Sequence, residues 1–460
     1  MTTESHDTAA EGQAQTPAAE AQLPWYAGVT RYQWLVLVIA SLGWIFDIFE
    51  SQVFVASSNE ALWALTNVRP DEPGALLYVN LALGGFLVGG ALGGIGFGML
   101  SDRIGRVRTM ILTILLYSIF TCLIALAQNW TQLVLLFFLV ALGTGGEWAV
   151  ASAMVAEVFP SRARARSLGI FQGSSVLGGW AAVAVGTWIV PNYGWRWAFV
   201  VGVLPALLTI WIYSSLHEPQ QWREAKAASQ AGRQRAGKLL DLFAAGLIRK
   251  TLLGVALATI GLATYWGVFI HGRQIFRRTV QDYYVPVTAT PEEKKALLKQ
   301  YEGPIKHGEM AGMFLVTLGG GIGIVGFGPI CERLGRRGAF VFYTLGAALV
   351  GPVAYQALPG APTLVLCLAL PVFGFFTAGM HGGFAVYFPE LFPTRLRGTG
   401  GGFCFNGGRL LAAPILLLSG WMQRQIGSVE NMASILAMLY LVGAAVALCA
   451  PETKGRELPT

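Results

Sequence analysis

The sequence predicts an all-α membrane protein, with twelve transmembrane helices arranged as two pseudo-symmetric six-helix bundles. Three observations carry that expectation. The 460 residues are 54% hydrophobic and only 12% charged, about half the charged share of a soluble protein. Apolar runs of about 20 residues, the length that crosses a bilayer, recur along the whole chain. Two motifs of the first half also return in the second at nearly the same offset. The 58 glycines fit the same class, because small residues let membrane helices approach closely.

Residues 1–30 are polar and lack an apolar core, which predicts a disordered cytoplasmic tail. Residues 31–216 hold the first six spans, at about 34–55, 75–97, 109–127, 131–157, 167–190 and 195–216. In the second span Gly85, Gly89, Gly90, Gly93 and Gly94 recur at helical spacing and leave one face nearly bare. Residues 217–249 read as a basic cytoplasmic linker. The second bundle covers 250–450, with spans at about 251–270, 309–330, 339–357, 363–388, 398–422 and 429–449, and 451–460 form a tail. A polar insertion at 271–307, with a helix-like stretch at 292–301, interrupts the pattern. Cys122, Cys331, Cys367, Cys404 and Cys449 show no metal or disulfide spacing and read as packing residues.

Charge sets the orientation. Arg103, Arg106 and Arg108, then Arg162, Arg164 and Arg166, and Arg333, Arg336 and Arg337 fall in loops on one side. The opposing loops carry single arginines, Arg69, Arg196 and Arg424. The positive-inside rule then places both termini in the cytoplasm, in a plasma (inner) membrane. The basic 271–307 insertion faces outward, where long loops obey the rule less strictly.

The first repeated motif is Gly98-Met-Leu-Ser-Asp102-Arg103-Ile-Gly105-Arg106, echoed by Gly328-Pro-Ile-Cys-Glu332-Arg333-Leu-Gly335-Arg336. The second is Glu157-Val-Phe-Pro160-Ser-Arg162-Ala-Arg164, echoed by Glu390-Leu-Phe-Pro393-Thr-Arg395-Leu-Arg397. The first resembles the signature loop between helices 2 and 3 of the major facilitator superfamily, and its echo resembles the counterpart between helices 8 and 9. The resemblance extends over nearly the whole chain. It implies an alternating-access transporter with its substrate site between the halves near mid-membrane. It also implies an inner gate built by Asp102, Arg103, Arg106, Glu157, Arg162, Glu332, Arg336, Glu390 and Arg395. Glu332 departs from the usual aspartate, which leaves the second half of that gate less defined.

Charges inside the spans are the candidate site. Asp47 and Glu50 lie three residues apart on the first span, on one face. Gly145-Gly146-Glu147-Trp148 puts a third acid in the fourth span, and Asn406-Gly-Gly-Arg409 a guanidinium in the eleventh. Ionisable groups in a bilayer are costly and mark ion or substrate paths. Arginine keeps its proton, and its fork matches a carboxylate. Asp47, Glu50 and Glu147 are therefore the expected proton-coupling residues, with a fixed structural ion pair to a basic residue as the alternative. Arg409, Asn406, Trp148 and His381 are the expected substrate-binding residues; His381 titrates near neutrality, so a relay role and a structural hydrogen bond both stay open.

The acids resemble those of aromatic-acid:proton, metabolite:proton and sialate:proton symporters. Pro451-Glu452-Thr453-Lys454-Gly455-Arg456 and Glu218-Pro219 resemble sugar porters, but Thr259–Trp266 lacks their paired glutamines. The expectation is proton-coupled symport of a small organic anion, with a sugar or polyol carrier and a transporter-like solute receptor as alternatives. No nucleotide-binding loop, metal cluster or catalytic triad is legible, so neither an enzyme nor a cofactor or metal is expected. The net charge of +7 lies mostly in short loops and does not call for nucleic acid.

Overall fold

The computed structural model describes residues 24–68, 75–230, 237–286, 288–426 and 428–459. The tail at 1–23 and the loop at 69–74 that contains Arg69 lie outside them. All regular structure among the described residues is helical.

The first bundle contains α1 (Arg31–Thr66), α2 (Ala75–Ile104), α3 (Arg106–Ile124) and α4 (Trp130–Val158). Its fifth span is α5 (Ser161–Gly173) continued by α6 (Ser175–Tyr193). The sixth is α7 (Trp195–Val200), a 3-10 turn at Val201–Val203 and α8 (Pro205–Ser215). Helix α9 (Gln220–Gln230) follows outside the spans.

The second bundle opens with α10 (Ile248–Thr264), which runs into a π-helical turn at Tyr265–Phe269 and a 3-10 turn at Ile270–Gly272. Helices α11 (Arg273–Tyr284) and α12 (Pro291–Gln300) form the insertion. The next two spans lie within α13 (Glu302–Ala357), which the non-helical Gly335 divides into two helices, 302–334 and 336–357. The last three are α14 (Thr363–Leu391), α15 (Arg397–Ile426) and α16 (Val429–Ala437) with α17 (Leu439–Cys449).

Two expectations need adjustment. The first span is longer than 34–55, because a Thr30–Gln33 capping box starts it early and buried Ala61 and Leu62 carry it past Val55. The insertion has a second helix, α11, that polarity had hidden; buried Ile275 anchors it, and Phe276 and Val280 pack against Gly308. The five cysteines are free.

The glycine-rich face of α2 is used as its bareness predicts. A Cβ at Gly93 would stand 2.0 Å from the Leu142 carbonyl oxygen, and one at Gly145 1.9 Å from that of Gly90. Helices α2 and α4 therefore touch backbone to backbone. Gly145→Val should lower the thermal stability of the detergent-solubilised protein by about 1–3 kcal/mol, the usual cost of overpacking. An unchanged unfolding midpoint would contradict that packing.

The repeated motifs build matching geometry. Gly105 and Gly335 take left-handed backbone angles (φ 118° and 79°) that end one span and start the next. Behind each bend a carboxylate receives the freed N–H groups. Glu218 accepts from Arg106 N and Val107 N (2.6 and 3.1 Å), and Glu452 from Arg336 N and Arg337 N (2.9 and 3.1 Å). Burial works against the Glu452 charge, but these N–H donors outweigh it and hold its carboxyl below the usual carboxylate range. The Glu-Pro and Pro-Glu segments that resemble sugar porters are thus helix caps placed alike in both halves.

Candidate functional site

A cavity of about 380 Å³ lies between the bundles. Its wall is mostly apolar, with the aromatic rings of Trp44, Phe86, Phe137, Tyr265, Trp266 and Phe405 set among aliphatic and glycine residues. Among the described residues Arg409 is the one lining residue with a fixed charge, and His381, Gln172, Gln52 and Ser51 supply polar atoms. Aromatic faces with a few placed polar groups suit a small, flat, partly apolar ligand.

Arg409 projects from α15, its guanidinium carbon 5.3 Å from the Phe405 ring centroid. On the other side it fills the space beside Gly90, where a Cβ would stand 2.4 Å from Nη1. The glycine face of α2 thus admits both the α4 backbone and the arginine. Asp47, buried in α1, is within electrostatic reach of Arg409 and Glu147. Glu147 accepts a hydrogen bond from Thr113 Oγ1 (2.7 Å), and its Oε1 lies against Gly43 of α1. The fold therefore gathers Asp47, Glu147 and Arg409 from three spans.

Glu50 is not in that group. It points toward Thr121 of α3 and Gly202, whose Cβ would lie 2.8 Å from Oε2. A three-residue step rotates a side chain by about 60° around a helix. That rotation is enough to split the two acids, so the shared face is only approximate. None of the three acids lines the cavity wall.

Of the expected substrate-binding residues, Arg409 and His381 line the cavity, while Trp148 and Asn406 stand one layer behind. Trp148 stacks on Phe405 (centroids 4.3 Å apart) and donates from Nε1 to Gln172 Oε1 (2.7 Å). Asn406 donates from Nδ2 to the Gly402 carbonyl (3.0 Å) and faces Gly94. His381 Nδ1 lies 3.1 Å from the Ala378 carbonyl oxygen, and its ring meets Tyr265 edge-on at 5.2 Å. Gln172, Tyr265 and Trp44 are lining residues that the sequence reading did not single out. The π-helical turn, a feature frequent at functional sites, presents Tyr265. Its hydrogen-bond pattern leaves no mark in composition.

At the arginine-rich end the halves close on each other. Arg106 binds Glu157 through Nη2 (2.8 Å) and Nε (3.3 Å), and Arg336 binds Glu390 through Nη2 (2.7 Å) and Nε (3.0 Å). These clamps lie within each half. Between the halves, Asp102 accepts from Gly398 N (3.1 Å), Thr399 N (2.8 Å) and Thr399 Oγ1 (2.6 Å). Glu157 also takes Arg397 Nη1 (2.7 Å), and Glu332 pairs with Arg166 (2.6 Å). Arg395 pairs instead with Asp241 (2.6 Å), and Arg103 donates to the Gly237 carbonyl (3.0 Å), so both tie down the linker. Arg162 lies in the first turn of α5. Arg397, Arg166 and Asp241 complete this network without having been singled out. Arg397 stands in the quoted repeat and was the readable one.

A family model described as Major Facilitator Superfamily matches residues 52–415. The chain is 29% identical to a probable 4-methylmuconolactone transporter of Cupriavidus pinatubonensis, over 94% of this chain and 93% of that protein. It is 31% identical to a cis,cis-muconate transport protein of Acinetobacter baylyi, over 72% and 75% of the two chains. Among solved structures it resembles the proton:xylose symporter XylE bound to 6-bromo-6-deoxy-D-glucose. The TM-score is 0.71 at 18% identity, covering 93% of this chain and 98% of that one, a likeness of fold.

Proposed function

The chain belongs to the Major Facilitator Superfamily, and on that premise we propose that it is a proton-coupled symporter of small organic acids that works by alternating access. The observation that carries the reading is one guanidinium, Arg409, set in an otherwise uncharged and largely apolar cavity that offers several aromatic faces. A planar, conjugated carboxylate meets both demands: its ring or double bonds lie against the aromatic faces, and its charge meets the fork of Arg409. The relatives named for muconolactone and muconate support the same substrate class. The arginine-rich end faces the cytoplasm, so the closed network there leaves the cavity to the outside.

Charge balance supplies the coupling. In the empty carrier, ionised Asp47 offsets Arg409. When a substrate carboxylate takes over that role, Asp47 accepts a proton, and the loaded site again carries no net charge. Either neutral state can pass through the hydrocarbon region, whereas a site holding only one ligand carries a charge that opposes closure.

Purified protein in liposomes should therefore accumulate an unsaturated or aromatic monocarboxylate when the outside is acidified, with one proton per anion and no response to membrane potential. Aromatic acids should compete, and their neutral amides and hexoses should not. Competition by sugars, with acids inert, would move the assignment to a sugar or polyol carrier. Binding without any transport would point to a receptor.

A further inference from the structure

Inside the first bundle, away from the cavity, lies a column of buried polar atoms that the scheme above does not use. Thr113, Tyr117 and Thr121 recur every four residues along α3 and so share one face, rising about 12 Å along the axis. All three are at most 1% exposed. Thr113 at the bottom of the column donates to Glu147. At its top Thr121, one turn before α3 ends, stands close enough to Glu50 to act on its carboxylate without forming a full hydrogen bond. Tyr117 sits between them, within electrostatic reach of Glu147, Asp47 and Glu50.

Among the described residues no hydrogen-bond partner meets Glu50 Oε1, Glu50 Oε2, Tyr117 OH, Ser118 Oγ, Thr121 Oγ1 or Glu147 Oε1. Buried polar groups are normally paired, and a cluster that lacks protein partners is where internal water binds. The titratable or charged groups facing the column are Asp47 and Glu50 from α1, Tyr117 from α3, Glu147 from α4 and Arg409 from α15. The turn at Val201–Val203 brings only Gly202.

We propose that the column from Glu50 through Tyr117 to Glu147 is an internal water-filled proton relay, separate from the substrate cavity, which loads Asp47 from the outer side. In each transfer protonated Glu50 releases a proton through water to the Tyr117 oxygen, while Tyr117 gives its own hydroxyl proton to neutral Glu147, which passes its own proton on to Asp47. Tyr117 and Glu147 end as they began, Asp47 is protonated, and Glu50, left ionised, takes up the next proton from the outer side. The relay rests on the proposed proton coupling and explains why Glu50 is turned away from Arg409. Protons and anion would then reach the centre by different routes, and a bound substrate would not block proton entry.

Tyr117→Phe keeps the ring and removes only the relaying hydroxyl, and Thr121→Val removes the hydroxyl at the upper end. The experiment compares, in liposomes, substrate counterflow, which needs no net proton movement, with accumulation driven by an imposed pH gradient. Expected is counterflow within about twofold of the parent for both variants, with at least a tenfold loss of pH-driven uptake in Tyr117→Phe and in Glu50→Gln. Full pH-driven accumulation by Tyr117→Phe would overturn the relay while leaving the proposed function standing. If the parent itself shows no pH-driven accumulation, the proton-coupling reading fails first. If external sodium drives uptake and Glu50→Gln abolishes only that dependence, the column is a cation site and the relay is wrong.

Discussion

Arg409→Gln should weaken binding of the carried acid by roughly a hundredfold, about 3 kcal/mol for the loss of a bidentate, charge-assisted contact. The substituted amide still fills space beside Gly90 and Phe405, so the cavity keeps its shape. Arg409→Lys keeps the charge but loses the planar fork, and should fall between the two, about tenfold weaker than the parent. Direct binding of a labelled acid to the purified variants gives the comparison. A neutral amide analogue should bind the parent and both variants alike. Equal affinity of parent and Arg409→Gln for the acid would show that the carboxylate is held elsewhere, and the charge-balance scheme would go with it.

Glu157→Gln should open the arginine-rich end. Glu157 bonds both Arg106 of its own half and Arg397 of the other, and all three side chains are buried. Breaking a buried ion pair by removing one partner costs about 3–5 kcal/mol, because the opposite charge is left uncompensated. Opening the halves lets water reach both guanidinium groups, so that cost falls on the closed state and shifts the equilibrium by at least a hundredfold. Spin labels at the exposed positions Arg108 and Arg337, in a background without native cysteines, report the separation of the halves. The distance distribution should move to longer values in Glu157→Gln. Glu390→Gln is the comparison. Glu390 pairs directly with Arg336 of its own half at 2.7 Å and reaches Arg164 of the other half only electrostatically. Its replacement should therefore lower stability while changing the separation much less than Glu157→Gln. Identical behaviour of the two variants would mean that the closed end is not held by Glu157.

Much of this architecture was legible before any coordinates. Bilayer-length apolar runs, the glycine face of α2 and the two repeated motifs are local patterns, readable one segment at a time. Arg409 was legible as a cavity charge because an arginine in a span has few alternatives. The partition of the other charges was not. Asp47 lies within electrostatic reach of Arg409, while Glu50, three residues on, is turned toward Thr121 and within reach of Tyr117. Arg395 turns to the linker and Arg397, two residues on, to Glu157.

Length and hydropathy by themselves determined the class, since crossing a bilayer constrains each segment separately, and the two duplicated motifs determined the two-fold repeat. Only the tertiary structure decided which buried acid lies near Arg409, which faces a polar column and which bonds across the two halves. A rotation of about 60° around one helix separates Asp47 from Glu50, and the neighbours that define their surroundings come from spans far away in the chain.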